Sequence, residues 1–300
     1  MDIAVTGSSG LIGTALGKAL RDGGHRVIPV VRSGGGDGTV SWDPDAGTID
    51  AAGLEGVDAV VHLAGEGIAS GPWTDAQRRR IHQSRSRGTR VLAEALAGLD
   101  RPPSVLVSGS GIDYYGDRGD EVLTESSGPG SGFLTTVCLD WEAATAPAER
   151  AGIRTVHLRT AMVLDPNGGA LGTQMLAFKL GLGARAGRGS QWLPWISLDD
   201  EVAAIRHALD QPKLAGPLNL TAPNPVTNAE FTKAVAATLH RPAFLVIPRA
   251  ARHLPFGVGS LIDVLLFSSK RAQPAALLGS GFTFTHPELT AALPEILATS

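Results

Sequence analysis

The sequence predicts an α/β protein built around a parallel sheet that carries helices on both faces. Over about the first 200 residues, short apolar runs alternate with stretches of helical periodicity. A glycine-rich turn joins the first apolar run to the first helical stretch. Alternation of this kind is typical of βαβ units, in which each helix crosses from one parallel strand to the next.

Each element of this fold follows from a local pattern. Short apolar runs predict strands at residues 3–5, 27–31, 59–63, 104–107 and 155–158. Apolar positions spaced three and four residues apart predict helices near residues 11–22, 75–97 and 135–151. Glycine-rich stretches predict loops at residues 33–38, 166–172 and 181–189.

The turn after the first strand has the spacing Gly-x-x-Gly-x-x-Gly, at Gly7, Gly10 and Gly13. Gly7 permits the tight turn, Gly10 lets the backbone approach a phosphate, and Gly13 lets the helix pack on the strand. In this setting a pyrophosphate binds free N–H groups at the positive end of a helix. The motif therefore predicts a Rossmann-type, doubly wound sheet that binds a dinucleotide, with a ligand-free turn as the alternative.

The character of the chain changes beyond Gly216. A proline-bounded turn precedes a helix near residues 228–239 and a strand near residues 244–247. We therefore expect residues 1–165, with a contribution from about 190–212, to form the dinucleotide-binding domain. Residues 166–300 are expected to form a smaller, partly interleaved C-terminal α/β domain that holds the substrate.

Composition and charge narrow the class of protein. The chain is 43% apolar and 18% charged, and its net charge of −3 gives no basic footprint for a nucleic-acid partner. The single cysteine, Cys138, excludes an intramolecular disulfide and fits a reducing compartment. We find no signal-peptide pattern, no run of about 20 apolar residues and no metal-ligand spacing among the histidines. We expect a cytoplasmic protein with no metal, no nucleic-acid partner and no membrane contact.

The ends of two strands indicate which dinucleotide binds and where. An acid at the end of the second strand would bond the ribose 2′-hydroxyl of NAD, whereas an arginine suits the 2′-phosphate of NADP. Here Arg32 and Ser33 stand at that end. Arg32 offers a planar, permanent cation to a phosphate, so NADP(H) is the expected cofactor; a solvated surface arginine is the alternative. The run Leu63-Ala64-Gly65 either lets the cofactor lie against the backbone or is a plain turn.

Further motifs follow in order along the chain and carry a family resemblance. They are Ser84-Arg85, Ser108-Gly109-Ser110, Tyr114-Tyr115-Gly116, Trp141-Glu142, Leu158-Arg159-Thr160, Gly181-Leu182-Gly183, the stretch 195–200, the stretch 216–223 and a segment from about Pro248. With the glycine turn they cover nearly the whole chain. They resemble the extended and atypical short-chain dehydrogenase/reductase superfamily, most closely its epimerase-family branch (SulA-like nucleoside-diphosphate-sugar epimerase).

The resemblance implies a set of cofactor contacts. NADP(H) is expected to touch Gly7, Ser9, Gly10, Leu11, Ile12, Gly13, Arg32, Ser33, Leu63, Ala64, Gly65 and Arg85. Arg85 otherwise belongs to a run of arginines on one helix, and such a run is typical of a solvated face.

The catalytic positions depart from the superfamily's pattern. Its members use a tyrosine and, four residues later, a lysine that lowers the pKa of the tyrosine so that the phenol can transfer a proton. Aligning Glu142 with the acid that follows this pair places Leu134 and Cys138 at the two positions. Neither side chain can do this work, so the usual dyad is expected to be absent.

Other residues are candidates for the missing chemistry. The superfamily keeps a serine that bonds the substrate oxygen, and Ser110 lies at the matching place. Tyr114 and Tyr115, the only tyrosines of the chain, follow at the mouth of the same crevice. We expect Ser110 to polarise a carbonyl while one of the tyrosines, or water, handles the proton. Alternatively, both tyrosines pack as aromatic plugs beside Gly116.

A further departure concerns the substrate. Nucleotide-sugar enzymes of the extended type carry an arginine shortly before the Asp199-Asp200 pair, and Leu193 occupies that position here. Positive charge would have to come from Lys179, Arg185 or Arg188. The sequence therefore predicts an NADP(H)-dependent oxidoreductase or epimerase, monomeric or homodimeric, that acts on a small carbonyl or alcohol substrate. The alternative is a catalytically silent NADP(H)-binding regulatory or redox-sensing protein.

Overall fold

The computed structural model describes residues 1–32 and 36–298. The strands are β1 (Asp2–Thr6), β2 (Arg26–Val31), β3 (Val40–Asp43), β4 (Thr48–Ile49), β5 (Ala59–His62), β6 (Val105–Gly111), β7 (Val122–Leu123), β8 (Arg154–Thr160), β9 (Met162–Leu164), β10 (Ala184–Ala186), β11 (Trp192–Leu193), β12 (Trp195–Ser197), β13 (Gly216–Leu220), β14 (Val226–Thr227), β15 (Leu245–Ile247) and β16 (Arg271–Ala272). The helices are α1 (Leu11–Asp22), α2 (Asp75–Ala97), α3 (Phe133–Ala143), α4 (Ala146–Arg150), α5 (Gly169–Lys179), α6 (Leu198–Asp210), α7 (Asn228–Thr238), α8 (Val258–Ile262), α9 (Ala275–Gly279) and α10 (Leu289–Ala298). Short turns of tighter or wider helix occupy Ala52–Leu54, Ile112–Tyr115, Arg249–His253 and Asp263–Phe267.

The main sheet contains strands in the order β13-β8-β6-β5-β1-β2-β3-β4. Neighbouring strands pair in parallel, except that β3 and β4 form an antiparallel edge. The strand order reverses between β1 and β5, where Thr6 lies beside His62. Ligands of doubly wound sheets bind at such a reversal, beyond the carboxyl ends of the strands. The predicted Rossmann-type parallel sheet is confirmed.

Helices cover both faces of this sheet, which explains why its central strands are apolar on both sides. Successive residues of a strand point to opposite faces, so Ile3 and Ala4 belong to different layers. Ile3 packs with Leu16 of α1 and Ile205 of α6. Ala4 packs in the other layer, with Leu92 of α2. The carboxyl-end edge of the sheet, where the dinucleotide is expected, therefore lies between two layers of helices.

The predicted helix near residues 135–151 is divided into α3 and α4. Pro147 lies in the first turn of α4, where the missing proline N–H removes no hydrogen bond. Two residues earlier, the Thr145 hydroxyl donates a hydrogen bond to the carbonyl oxygen of Glu142 (2.7 Å). A threonine that bonds the preceding turn, followed by a proline, favours a helix boundary over a continuous helix.

The main sheet also extends beyond the predicted strands. β13 pairs with β8 along Gly216–Leu220, although the sequence assigns these residues to the smaller domain. At the other edge, β3 and β4 add a short hairpin. This hairpin was not predicted from the sequence, although in β3 the buried Val40 and Trp42 alternate with exposed polar residues; β4 has only two residues.

The C-terminal part packs around its own apolar cluster, formed under α5, α7 and α10 with Met175, Phe231 and Leu293 among its members. Asp200 of α6 ties this part to the main sheet. The buried Asp200 carboxylate accepts hydrogen bonds from the backbone N–H groups of Thr285 (2.8 Å) and His286 (2.9 Å). A carboxylate in the first turn of a helix is favoured by the helix dipole, so this link needs no cation.

Candidate functional site

The glycine turn closes tightly against the next strand of the sheet. Gly7 has φ +66°, in the left-handed region that favours glycine. A Cβ on Gly7 would lie 2.8 Å from the backbone carbon of Leu63, and a Cβ on Gly13 would lie 2.1 Å from the Gly7 carbonyl oxygen. Two of the three glycines are therefore required by backbone packing alone. The absence of a side chain at Gly13 lets α1 pack against the glycine turn, in addition to the predicted packing of α1 on the strand.

The third glycine leaves the start of α1 open. A Cβ on Gly10 would meet only the Gly7 oxygen, at 3.3 Å. No side chain caps this helix, and its first backbone bond runs from Thr14 N–H to the Gly10 carbonyl (2.8 Å). The N–H groups of Leu11 and Ile12 are therefore left for a ligand at the positive end of the helix. These features fit a diphosphate.

The side chains around the turn point away from this opening. Leu11 packs against Gly168, where an added Cβ would lie 3.0 Å from the leucine side chain. Ile12 packs on the core of the main sheet. Ser9 is exposed. A contact of Leu11 or Ile12 with a phosphate would therefore be made by the backbone.

A buried hydrogen-bond chain sets the position of Leu63 and Ala64. The Thr6 hydroxyl oxygen accepts hydrogen bonds from both N–H groups (3.1 Å each) and lies 2.7 Å from His62 Nδ1. With both lone pairs in use, the hydroxyl donates its proton to Nδ1. His62 Nε2 lies 2.8 Å from the Thr89 hydroxyl and is then the protonated nitrogen. Burial lowers the pKa of His62 to about 4, so the ring is neutral and this tautomer is fixed.

Arg32 follows β2 directly and is exposed. Among residues 1–32 and 36–298 it has no hydrogen-bond or ion-pair partner, so its guanidinium is available to a phosphate. Ser33, the other residue predicted to read the ribose, lies outside the described residues. Of the two side chains predicted to contact the ribose, the structure therefore describes only that of Arg32.

Arg85 does not lie on a solvated face. Its Nη1 donates to the Glu66 carbonyl (2.8 Å), and its guanidinium lies 4.9 Å from the ring centre of Trp141. Burial lowers its pKa. A Cβ on Gly65 would lie 3.1 Å from the guanidinium carbon. The same helix contributes Ser84, whose hydroxyl accepts a hydrogen bond from Glu66 N–H (3.0 Å). Together they hold the loop that follows β5.

Ser110 belongs to a buried polar cluster at the carboxyl ends of β6 and β8. Its hydroxyl donates to Glu142 Oε1 (2.7 Å). The Glu142 carboxylate accepts two further bonds from Arg159, at 2.9 Å each. Burial alone would lower the pKa of Arg159, but the paired carboxylate raises it. A bidentate pair of this kind fixes both side chains in one geometry.

The two tyrosines take different positions beside this cluster. The half-buried Tyr114 ring lies under the Arg159 guanidinium, 3.4 Å from the cation to the ring centre. Among the described residues, the Tyr114 hydroxyl has no hydrogen-bond partner. The stacked cation therefore orients the ring while its hydroxyl stays available.

Tyr115, by contrast, is completely enclosed. Its hydroxyl lies 2.8 Å from Asn219 Oδ1 and 2.9 Å from the Thr124 carbonyl, and it accepts from Arg159 Nη1 (3.0 Å). Burial raises the pKa of Tyr115 despite the neighbouring arginine. This geometry favours the aromatic-plug interpretation for Tyr115, because every hydrogen-bonding direction of its hydroxyl is filled.

Leu134 and Cys138 of α3, which the sequence aligns with the superfamily's dyad, are both buried. Leu134 packs with Trp73, Ile81 and Val137. One turn later, the Cys138 thiol donates a weak hydrogen bond to the Gly111 carbonyl (3.6 Å), and burial raises its pKa to about 12. A thiol in such surroundings stays protonated near neutral pH.

A lysine that the sequence gave no reason to select lies beside Tyr114 in the fold. The Lys270 ammonium forms an ion pair with Asp113 (3.0 Å), and only 7% of Lys270 is exposed. Asp113 lines a cleft of about 280 Å³ formed between residues 113–135 and the C-terminal segment that includes Arg249, Arg252 and Phe267. No spacing pattern links residues 157 positions apart, so this pair could be found only in the fold.

A second cleft lies far from these residues. Residues 51–55 and 98–101 line it, and they precede β5 and β6, at the opposite end of the strands. Within the described ranges, no group of three or more His, Cys, Asp or Glu side chains is arranged to hold a metal ion.

An open helix start at the reversal of a doubly wound sheet, with polar side chains where the neighbouring strands end, defines a dinucleotide-binding protein of the Rossmann fold. The chain belongs to the NAD dependent epimerase/dehydratase family, whose model matches residues 3–220. Residues 248–296 match a domain of unknown function, DUF1731. The resemblance noted from the motifs is confirmed.

Relatives resemble the chain over its full length. "Epimerase family protein Mb2239" of Mycobacterium bovis is 44% identical over 292 residues, which are 97% of this chain and 96% of the relative. A crystal structure of human epimerase family protein SDR39U1 (isoform 2) with NADPH has a TM-score of 0.90 and 35% identity, and covers both chains completely. A structure of a nucleoside-diphosphate sugar epimerase from Corynebacterium glutamicum has a TM-score of 0.83 and 37% identity, and covers 100% of this chain and 59% of that one.

Proposed function

We propose that this protein is an NADP(H)-dependent oxidoreductase, or an epimerase that retains its cofactor, acting on a small carbonyl or alcohol substrate. The observation that carries the proposal is the Tyr114 phenol, which has no hydrogen-bond partner among the described residues and is oriented by Arg159, the arginine that also pairs with Glu142 and so joins Tyr114 to the Ser110 cluster. Positioned proton donors at the carboxyl ends of the strands are what hydride transfer to a carbonyl requires.

The choice of NADP(H) rests on the open start of α1 and on Arg32. The helix start fits the diphosphate, and the unpaired guanidinium fits a 2′-phosphate. The human relative crystallised with NADPH supports the same choice. Leu63, Ala64 and Gly65 follow β5, on the other side of β1 from Arg32; we expect the cofactor to continue past them beyond the diphosphate, and Arg85 holds their loop.

The geometry changes the role expected of Ser110. Its proton already bonds Glu142, so toward a substrate the Ser110 oxygen is an acceptor and suits a hydroxyl group. Tyr114 then supplies the proton in the direction of reduction. A reduced nicotinamide bound in the crevice supplies the hydride. Tyr114 would give its proton to the carbonyl oxygen as the carbonyl carbon received that hydride.

The substrate is proposed to extend from Tyr114 into the cleft that the neighbouring residue Asp113 lines; Tyr114 and Ser110 do not themselves line that cleft. Its volume of about 280 Å³ lies at the lower end of the range for ligand sites, which supports a small molecule. Lys270 and Asp113 neutralise each other at its edge. The domain division proposed from the sequence, at about residue 165, places the cleft between the dinucleotide-binding part and the C-terminal part.

A specific observation favours a second candidate, an NADP(H)-binding regulatory protein without turnover. Leu134 and Cys138 occupy the dyad positions, and neither exchanges a proton near neutral pH. The bonded Ser110 hydroxyl also cannot polarise a carbonyl unless Glu142 releases it.

Cofactor binding is tested first, by calorimetry on ligand-stripped protein. We expect Arg32→Ala to weaken NADPH binding by about ten- to a hundredfold, the contribution of one charge-assisted phosphate contact. NADH binding should change little. Arg79→Ala, at an exposed arginine of α2, is the matched control. Equal losses for NADPH and NADH would refute the 2′-phosphate role.

Turnover is tested next, with NADPH and a panel of aldehydes, ketones and quinones. Tyr114→Phe should lose activity while NADPH affinity stays unchanged. Full activity of Tyr114→Phe would refute its role as proton donor. Tight NADPH binding with no turnover across the panel would select the regulatory candidate.

A further inference from the structure

An uneven distribution of charge divides the surface of this protein. Residues 166–198 and 231–262 contain seven of the chain's 26 Lys and Arg residues and none of its 29 Asp and Glu residues. The remaining 235 residues therefore carry a net charge of −10. All of these cations except the half-buried Arg185 are exposed.

The two carboxylate-free segments lie side by side in the fold. β10 pairs in parallel with β15, with Ala184 beside Leu245. Just before these strands, a Cβ on Gly181 would lie 3.3 Å from Pro242. The segments therefore form one surface, here called the basic face and defined as residues 176–188 together with 240–257.

The basic face also carries most of the large apolar side chains that the fold leaves in solvent. They are Leu176, Leu180, Leu182, Phe244, Leu245, Val246, Leu254 and Phe256. Phe256 is 83% exposed, Phe244 74% and Leu176 69%. A concentration of exposed apolar side chains in two neighbouring segments indicates a site where another apolar phase or partner docks.

The backbone holds the most exposed of these side chains outward. Phe256 has φ +59°, a left-handed conformation that bulky residues rarely adopt. The next residue, Gly257, is packed so closely on Trp73 that an added Cβ would lie 2.4 Å from its backbone, and Trp73 N–H donates to the Gly257 carbonyl (3.3 Å). Because Gly257 is fixed, Phe256 cannot turn inward by a small movement of the chain.

The charge identifies the kind of partner. A second copy docking symmetrically would place like charges together, with no carboxylate in either segment to pair with them. Apolar side chains flanked by lysine and arginine are typical of proteins that lie on anionic lipid, where the apolar groups enter the interface and the cations meet the head groups. Such binding needs no membrane-spanning helix, and no helix in the described part of the chain has the length and apolar character to cross a bilayer.

We infer that the basic face binds the surface of an anionic lipid bilayer. Lys179 and Arg241 contact head groups, while Leu180, Phe244 and Phe256 enter the interface. Arg249 and Arg252 also belong to the face, but they line the cleft together with Asp117 and Asp263 and are therefore left out of the test below. The inference does not depend on the proposed reaction.

The test is co-sedimentation of the full chain with vesicles of phosphatidylcholine alone or with about one third phosphatidylglycerol. At low salt we expect at least about tenfold stronger partitioning to the anionic vesicles, lost when salt shortens the Debye length to about 3 Å. Two double variants should each abolish this binding: Phe244→Ser/Phe256→Ser, which removes apolar side chains, and Lys179→Glu/Arg241→Glu, which reverses charges. Leu139→Ser/Leu278→Ser and Arg79→Glu/Lys213→Glu, at exposed positions outside the face, should bind like the wild type.

Circular dichroism melting curves show whether each variant has kept its fold. Binding that is equal on both vesicle types, or that is lost equally in the matched controls, would overturn the inference. So would failure to bind vesicles combined with concentration-dependent self-association that only the face variants abolish, because that result assigns the face to a second copy.

Discussion

Glu201 should make this protein less stable as the pH rises through neutrality. It lies in the first turn of α6, is completely buried, and accepts one hydrogen bond, from the Thr160 hydroxyl (2.9 Å). Its other oxygen, Oε2, has no hydrogen-bond partner among the described residues. Burial without a compensating cation raises the pKa of Glu201 to about 8, from an ordinary value of 4.5.

The direction of the effect follows from proton binding. Between pH 4.5 and about 8 the folded state holds a proton on Glu201 that the unfolded chain has released. The free energy of unfolding therefore falls as pH rises across this window and levels off on either side. A pKa difference of one corresponds to about 1.4 kcal/mol. The full penalty is then about 5 kcal/mol, of which about 3 kcal/mol is incurred between pH 5 and pH 8.

Urea unfolding followed by tryptophan fluorescence measures this penalty. Wild type and Glu201→Gln are unfolded at pH 5, 6, 7 and 8, and their free energies of unfolding are subtracted so that all other titrating groups cancel. We expect the wild-type value to fall relative to the variant by about 3 kcal/mol across the range. The slope is decisive, since the unpaired Gln amide shifts the variant by a constant amount. Glu94→Gln, at an exposed carboxylate of α2, should keep the wild-type slope. Parallel curves for wild type and Glu201→Gln would refute the reasoning.

Three further predictions concern the site. Tyr115→Phe should lower the free energy of unfolding by about 1–3 kcal/mol, because it leaves buried partners unbonded, whereas Tyr114→Phe should change it by less than about 0.5 kcal/mol; equal effects in a urea titration would contradict the two assigned environments. Gly13→Ala should destabilise the fold by more than about 2 kcal/mol, and a stable Gly13→Ala protein would contradict the packing described. Gly10→Ala should keep the wild-type melting temperature but bind NADPH more weakly, as measured by calorimetry. Thr6→Val should cost about 2–3 kcal/mol, because it leaves the Ala64 N–H without its acceptor and the buried His62 Nδ1 without its donor, and a near-neutral result in the same titration would contradict this role of the hydroxyl.

Local patterns predicted the fold well. The helices at 11–22 and 75–97 have the predicted bounds, and a glycine follows the last residue of each (Gly23 and Gly98). The parallel sheet followed from the alternation of elements. The division of the helix after α3 was missed, because a proline in the first turn of a new helix looks the same in sequence as one inside a continuing helix.

The site was only partly predictable, for reasons of distance along the chain. The glycine turn is a short-range pattern and was found. The Thr6–His62–Thr89 chain joins residues 56 and 27 positions apart and leaves no periodic trace. Arg159 offered a signal that could have been used, since it is a charged residue near the carboxyl end of a buried strand and must have a partner.

The two tyrosines show a different limit on what the sequence can predict about the site. They are adjacent, and no pattern distinguishes them, yet one is enclosed and the other half-open. The turn Ile112–Tyr115 sets this difference, because neighbouring residues on a tight helical turn point in different directions. Only the fold separates the candidate proton donor from its structural neighbour.

The link from Asp200 to the backbone at residues 285–286 has a consequence for biosynthesis. Eighty-five residues separate the two ends of this link, so a ribosome must release that whole stretch after Asp200 before the acceptor meets its donors. Until then α6, which packs on α1 directly behind the glycine turn, carries an anion that must remain in water. A chain truncated before Thr285 would keep every strand of the nucleotide-binding sheet and still be unable to seal the layer behind it.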